Sequence, residues 1–149
     1  MGNKLYFRDD CNEDFLKDRK ILIMGDGEKS SELLQKIKGV GMEGVQSTDG
    51  ELIKDNNFII LTEERQLEEL KEALNHHMIY GDCLLTTFPL ELSKLELPKY
   101  IDVVGFYKNH DDQHWKVKVY QNYTSYGLQL GLAFSWATAA ADLGVEEEE

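Results

Sequence analysis

Along residues 20–77 the apolar positions switch between two rhythms. Lys20-Ile21-Leu22-Ile23-Met24 is a continuous apolar, β-branched run stopped by glycine, the pattern of a strand buried on both faces. Over residues 30–38, Leu33, Leu34 and Ile37 recur at helical spacing while Glu32, Gln35, Lys36 and Lys38 fall on the opposite side, and Gly39 and Gly41 end the segment. Residues 43–48 predict a second, weaker strand that stops at Asp49-Gly50. Asn57-Phe58-Ile59-Ile60-Leu61-Thr62 predicts a third. In residues 63–75 Leu67, Leu70 and Leu74 stand three and four apart among acids, which predicts an amphipathic helix. Strands alternating with helices imply a parallel sheet with right-handed crossovers, so this stretch reads as a βαβ nucleotide-binding half-fold.

The rhythm continues with a fourth strand over residues 77–85 and a loop or short helix over 88–97, closed by Pro98. Residues 100–107 and 115–120 flank the polar stretch 108–114 and predict a hairpin whose second strand alternates lysine and valine. Residues 126–143, rich in Gly and Ala with a Gly127-x-x-x-Gly131 spacing, predict a close-packed last helix against the sheet or a second subunit. The expected fold class is therefore α/β: a single Rossmann-like domain over residues 20–145, with a mostly parallel sheet, a β-hairpin near the C-terminal end and a final small-residue-rich helix. Residues 1–19 read as an arm, with one short strand or helix, packing on that domain. Residues 146–149 read as a solvated acidic tail.

Charge narrows the partners. With 28 acidic and 16 basic residues in 149, the net charge is −12, and the lysines are scattered singly. A nucleic acid would meet a repelling surface without a basic patch, so none is expected. No membrane span is expected, because the last helix carries Gln129, Ser135, Thr138 and Asp142 and has no basic flank. Two cysteines, Cys11 and Cys83, and a charged start point to a reducing, cytoplasmic setting.

The candidate chemistry gathers at Gly25-Asp26-Gly27-Glu28-Lys29-Ser30. At a strand-to-helix turn, backbone N–H groups and the helix dipole converge on an anion, and glycine lets it come close. Gly25 and Gly27 match the first two glycines of G-x-G-x-x-G, and Ser30 is a small residue at the third. Asp49 stands at the end of the second strand, where an acid binds ribose hydroxyls and favours NAD over NADP. Asp26 and Glu28 oppose the negative phosphates. Asp82 is expected at the C-terminal end of the fourth strand as a general acid or base, and Cys83 beside it as a small buried hydrophobe. His110, His114, Asp111 and Asp112 read as a polar exposed loop, and no metal site is expected.

In order of features, residues 20–89 resemble the NAD-binding domain of the precorrin-2 dehydrogenase (siroheme synthase) family. The resemblance rests on Gly25, Gly27 and Ser30 in the turn, Asp49 after the second strand, Thr62-Glu63 after the third, Asp82, and Phe88-Pro89. A ThiF-like or other Rossmann-type domain shares the pattern. The resemblance implies NAD as cofactor, with Gly25, Gly27, Ser30, Asp49 and Thr62 binding it and Asp82 catalytic. Two functions follow as expectations. One is a dinucleotide-binding domain of a dehydrogenase-like protein. The other is a non-catalytic interaction or regulatory protein of the same fold, forming a homo-oligomer through the last helix.

Overall fold

The computed structural model describes residues 4–6, 14–17, 19–91, 93, 96–108, 115–124, 126–138 and 145–148. Its strands are β1 (Lys4–Tyr6), β2 (Ile21–Met24), β3 (Gly44–Ser47), β4 (Phe58–Leu61), β5 (Cys83–Thr86), β6 (Asp102–Lys108), β7 (Trp115–Gln121) and β8 (Val145–Glu148). Its helices are α1 (Asp14–Lys17), α2 (Glu28–Gly39), α3 (Arg65–Glu69), α4 (Lys71–His77) and α5 (Gly127–Ala137), and a 3-10 turn covers Gly50–Asp55.

One eight-stranded sheet runs in the order β1-β8-β7-β6-β5-β4-β2-β3. From β3 to β6 neighbouring strands are parallel, and β6 and β7 form the antiparallel hairpin. The predicted α/β fold, with its parallel sheet, hairpin and last helix, is the observed one. Strand order reverses once among the parallel strands. The chain leaves β2 for β3 on one side and returns to lay β4 on the other, which opens a crevice above the C-terminal ends of β2 and β4.

Period-2 alternation sorts the parallel strands onto two cores. Ile21, Ile23, Phe58, Ile60, Cys83, Leu85, Val104 and Phe106 join one cluster, with Leu16, Ile37 and the α5 residues Leu130, Ala133, Phe134 and Ala137. Leu22, Met24, Ile59, Leu61, Leu84 and Val103 join the other, with Ile53, Leu74 and Met78. Burial on both faces explains why these strands read as unbroken apolar runs. Phe134 anchors the first cluster through edge-on contacts with Phe58 at 6.1 Å and Phe106 at 5.9 Å.

The small residues of α5 face the chain's own sheet. A Cβ on Gly131 would stand 2.8 Å from Val117 Cγ1 and 2.9 Å from Val104 Cγ1, and one on Gly127 3.0 Å from Val104 Cγ2. Removing the side chains lets the helix sit directly on β6 and β7. Among the described residues no helix is long and apolar enough to cross a membrane.

Three boundaries depart from expectation. The fourth strand begins at Cys83 rather than His77, because His77 ends α4 and residues 78–82 turn sharply through Gly81 at φ +97°. Ile79 and Tyr80, which extended the apolar run in sequence, are exposed. The helix predicted over residues 63–75 is two, broken at Leu70. Residues 146–148 are not a free tail. They lie in β8, parallel to β7 and antiparallel to β1 of the arm, and the register sets Glu146 opposite Lys116 and Glu148 opposite Lys118. Cys11, His110 and His114 lie outside the described residues.

Because Gly131 has no room for a side chain, Gly131→Val should lower the unfolding free energy by about 2–3 kcal/mol, read from urea denaturation.

Candidate functional site

The crevice is built around one carbonyl oxygen. Met24 O, at the end of β2, accepts from Ser30 Oγ at 2.9 Å, from Gln66 Nε2 at 3.0 Å and from Thr62 Oγ1 at 3.4 Å, and Ser30 Oγ lies 3.0 Å from Thr62 Oγ1. Gln66 completes the lock by accepting from the amides of Thr62 at 2.8 Å and Glu63 at 3.1 Å. All three side chains are buried. They join the start of α2, the end of β4 and the start of α3 to the end of β2.

Gly25 follows at φ +114°, a conformation side chains disfavour, and a Cβ there would meet Ser30 Oγ at 2.7 Å and Gln66 Nε2 at 2.9 Å. Its N–H donates to Ser47 O at 2.9 Å and its carbonyl accepts from Gln46 Nε2 at 3.0 Å, so β3 holds the turn from the other side. Gly27 is the N-cap of α2, and a Cβ on it would meet no protein atom within 4 Å. The helix's first bond is Ser31 N–H to Gly27 O at 3.1 Å. The amides of Glu28, Lys29 and Ser30 precede it and have no intrahelical acceptor. An open, side-chain-free helix start backed by a rigid polar lock suits a phosphate group.

On the β3 side a small cavity of about 220 Å³ is lined by Gly25, Asp26, Thr48, Arg65, Gln66 and Glu69. Arg65 donates through Nη1 to Glu69 Oε1 and through Nη2 to Glu63 Oε2, both at 2.8 Å, and these hydrogen bonds, Glu63's first, hold its guanidinium more firmly protonated. Asp49 is exposed and caps the 3-10 turn by accepting from Glu51 N at 3.0 Å. On the other side a cleft of about 360 Å³ opens between α2, the ends of β5 and β6, and α5, with Lys29, Lys36 and Lys108 around Phe88, Phe106 and Trp115. Phe106 and Trp115 stack at 4.8 Å, and the buried Trp115 Nε1 has no hydrogen-bond partner among the described residues.

The structure thus brings Gly25, Gly27, Ser30 and Thr62 together at the switch point, while Asp49 follows β3 as the cap of the 3-10 turn and is not among the residues lining the small cavity. Ser30 and Thr62 turn their hydroxyls inward and act on the turn rather than offering them to the opening. Asp82 is not brought there, and its expected position is corrected: it precedes β5, at the N-terminal edge of the sheet. Its Oδ2 accepts from Ile79 N at 2.9 Å and its own N–H donates to Ile79 O at 3.0 Å, closing the turn around Gly81. Burial raises its carboxyl above the usual range, against the hydrogen bond from Ile79 and the charge of Arg19. Cys83 is fully buried and free, its thiol pushed up by burial, which fits the small hydrophobe expected there.

Gln66, Arg65 and the lysine-ringed cleft were missed in the sequence reading. Gln66 had a signal, since a glutamine three residues past Glu63 can reach back to that residue's amide as in a capping box. The cleft had none, because its lysines come from positions far apart in the chain.

No protein-family profile matches the chain. Solved structures do. An NADH-preferring ketol-acid reductoisomerase from an uncultured archaeon superposes with a TM-score of 0.86 at 14% identity, over 97% of this chain and 56% of that one. A pyrroline carboxylate reductase from Plasmodium falciparum with NADP bound gives 0.59 at 14% identity, over 90% and 59%. A ketopantoate reductase from Ralstonia eutropha gives 0.58 at 14% identity, over 87% and 56%. The chain shares a Rossmann-like fold with these proteins and spans little more than half the length of each.

Truncating Gln66 to Ala leaves Met24 O short of a donor and two amides without their acceptor, which should lower stability by about 2 kcal/mol in chemical denaturation. For Asp82, the raised folded pKa means that the protonated carboxyl favours the fold. That contribution is complete below about 3.8, the ordinary value, and is lost as pH rises through the higher folded value. Asp82→Asn, neutral throughout, should therefore gain stability relative to the unsubstituted protein as pH is raised from 3.5 to 7, measured by urea midpoints.

Proposed function

We propose that the chain is a nicotinamide-dinucleotide-binding domain of a dehydrogenase-like protein, and that its cofactor is NAD. The observation that carries this reading is Gly27: the N-cap of α2 at the switch point, with open space where a side chain would stand. Gly25, Gly27 and the first-turn amides of α2 would hold the pyrophosphate, and Asp49 a ribose. Ser30, Thr62 and Gln66 keep the turn in shape through Met24 O. Asp26 and Glu28 are exposed, so their repulsion of phosphate is screened by solvent. Bound in the crevice, the cofactor would supply hydride transfer. The cleft beside α2 is the place this reading gives to the reacting end, where Phe88, Phe106 and Trp115 exclude water and Lys29, Lys36 and Lys108 offer positive charge in an acidic protein. Support comes from the reductase fold. The narrower likeness to the precorrin-2 dehydrogenase family adds only the order of its motifs.

NAD at a hundred times its Kd should raise the unfolding free energy by about 2.7 kcal/mol, read as a thermal shift. Gly27→Val tests the site without disturbing the fold, because φ −81° and ψ 176° suit any residue and the space holds no protein atom. The variant should keep its unfolding midpoint and lose the NAD-induced shift. Asp49→Ala should weaken NAD binding, and an unchanged Kd would remove Asp49 from the site. If neither NAD nor NADP stabilises the protein, the dinucleotide reading falls and the non-catalytic interaction domain takes its place.

A further inference from the structure

A dinucleotide-binding crevice discriminates NAD from NADP by what it offers the adenosine ribose: an acid for the 2′-hydroxyl, or an arginine for the 2′-phosphate. The cavity between Asp26, Thr48 and the start of α3 contains both kinds of group. Among the described residues Arg65 is the only cation lining it, and Thr48, which follows β3, lines it too. Its fork is occupied on both sides, with Glu69 Oε1 on Nη1 and Glu63 Oε2 on Nη2, each at 2.8 Å. Asp26 and Glu69 line the same cavity and Glu63 pairs with Arg65, so among the described residues three carboxylates stand around one arginine.

We infer that Arg65 is the specificity-determining residue of this crevice, and that Glu63 and Glu69 set it to NAD by occupying the guanidinium that would otherwise receive a 2′-phosphate. The inference rests on the dinucleotide reading and goes beyond Asp49, whose carboxylate already caps the 3-10 turn. A phosphate dianion entering here would meet a guanidinium whose charge is already offset by two carboxylates and would stand beside those carboxylates, whereas a neutral ribose hydroxyl meets no such repulsion. Exposed ion pairs of this kind are individually weak, about 0–1 kcal/mol, and the partners are exposed, so the clamp can be removed without unfolding the protein.

The test is the ratio of Kd for NADP to Kd for NAD, measured by calorimetry on the full chain. The unsubstituted protein should bind NAD more tightly. Glu63→Gln with Glu69→Gln removes two negative charges and frees the fork, and should tighten NADP by about tenfold while NAD changes by less than about threefold. Adding Arg65→Ala to that pair should abolish the gain. An unchanged ratio in the double variant, or a gain that survives loss of Arg65, overturns the inference while leaving NAD binding in place. Failure of the unsubstituted protein to bind either nucleotide overturns the dinucleotide reading itself, and this inference with it.

Discussion

The convergence of three donors on the carbonyl of Met24 organises the working edge of this molecule. A backbone oxygen at the end of a buried strand must find partners, since leaving it unpaired costs about 1–3 kcal/mol. Here the partners arrive from α2, β4 and α3 together, through Ser30, Thr62 and Gln66. Satisfying one acceptor thereby ties the beginnings of two helices and the ends of two strands into a single body. Gly25 then has no freedom: its positive φ and the absence of room for a Cβ both follow from the closeness of Ser30 and Gln66. The open helix start at Gly27 is displayed by that rigid base rather than by a mobile loop.

The same constraint explains the third position of the glycine motif. A serine there is small enough for helix to approach strand, and its hydroxyl replaces a bare contact with a hydrogen bond to the strand end. The turn therefore presents main-chain groups, with side chains acting as braces. A turn built this way tolerates wide variation in the residues around it, in keeping with a fold shared at 14% identity with three solved structures.

Much of this was legible in the residues. The runs Ile21–Met24 and Phe58–Leu61 announced strands covered on both sides, and the glycines between strand and helix announced the turn. What escaped was non-local. Asp82 reads as the end of a strand when Met78-Ile79-Tyr80 is counted as part of one. Only the left-handed Gly81 and the exposed Ile79 and Tyr80 reveal a turn at the opposite edge. The Gly127-x-x-x-Gly131 spacing marked a close approach correctly but could not say to what, and the structure answers with Val104 and Val117. The glutamates of β8 carry no strand signal of their own. They form a strand by backbone pairing with β7 on one side and β1 on the other.

That last pairing has a consequence for how the chain comes to be folded. The outer edge of the sheet joins Lys4 to Glu147, positions separated by nearly the whole length of the chain. Contacts this distant require closure of a long loop before they return any stability, and they tend to form late. The pairings among β2 to β6 all lie within residues 21–108, so the ladder that frames the crevice does not depend on the outer edge, although its covered face also needs α5. Until that edge pairs, β7 presents an open ladder to its surroundings, and β8 followed by β1 closes it once residue 148 has emerged.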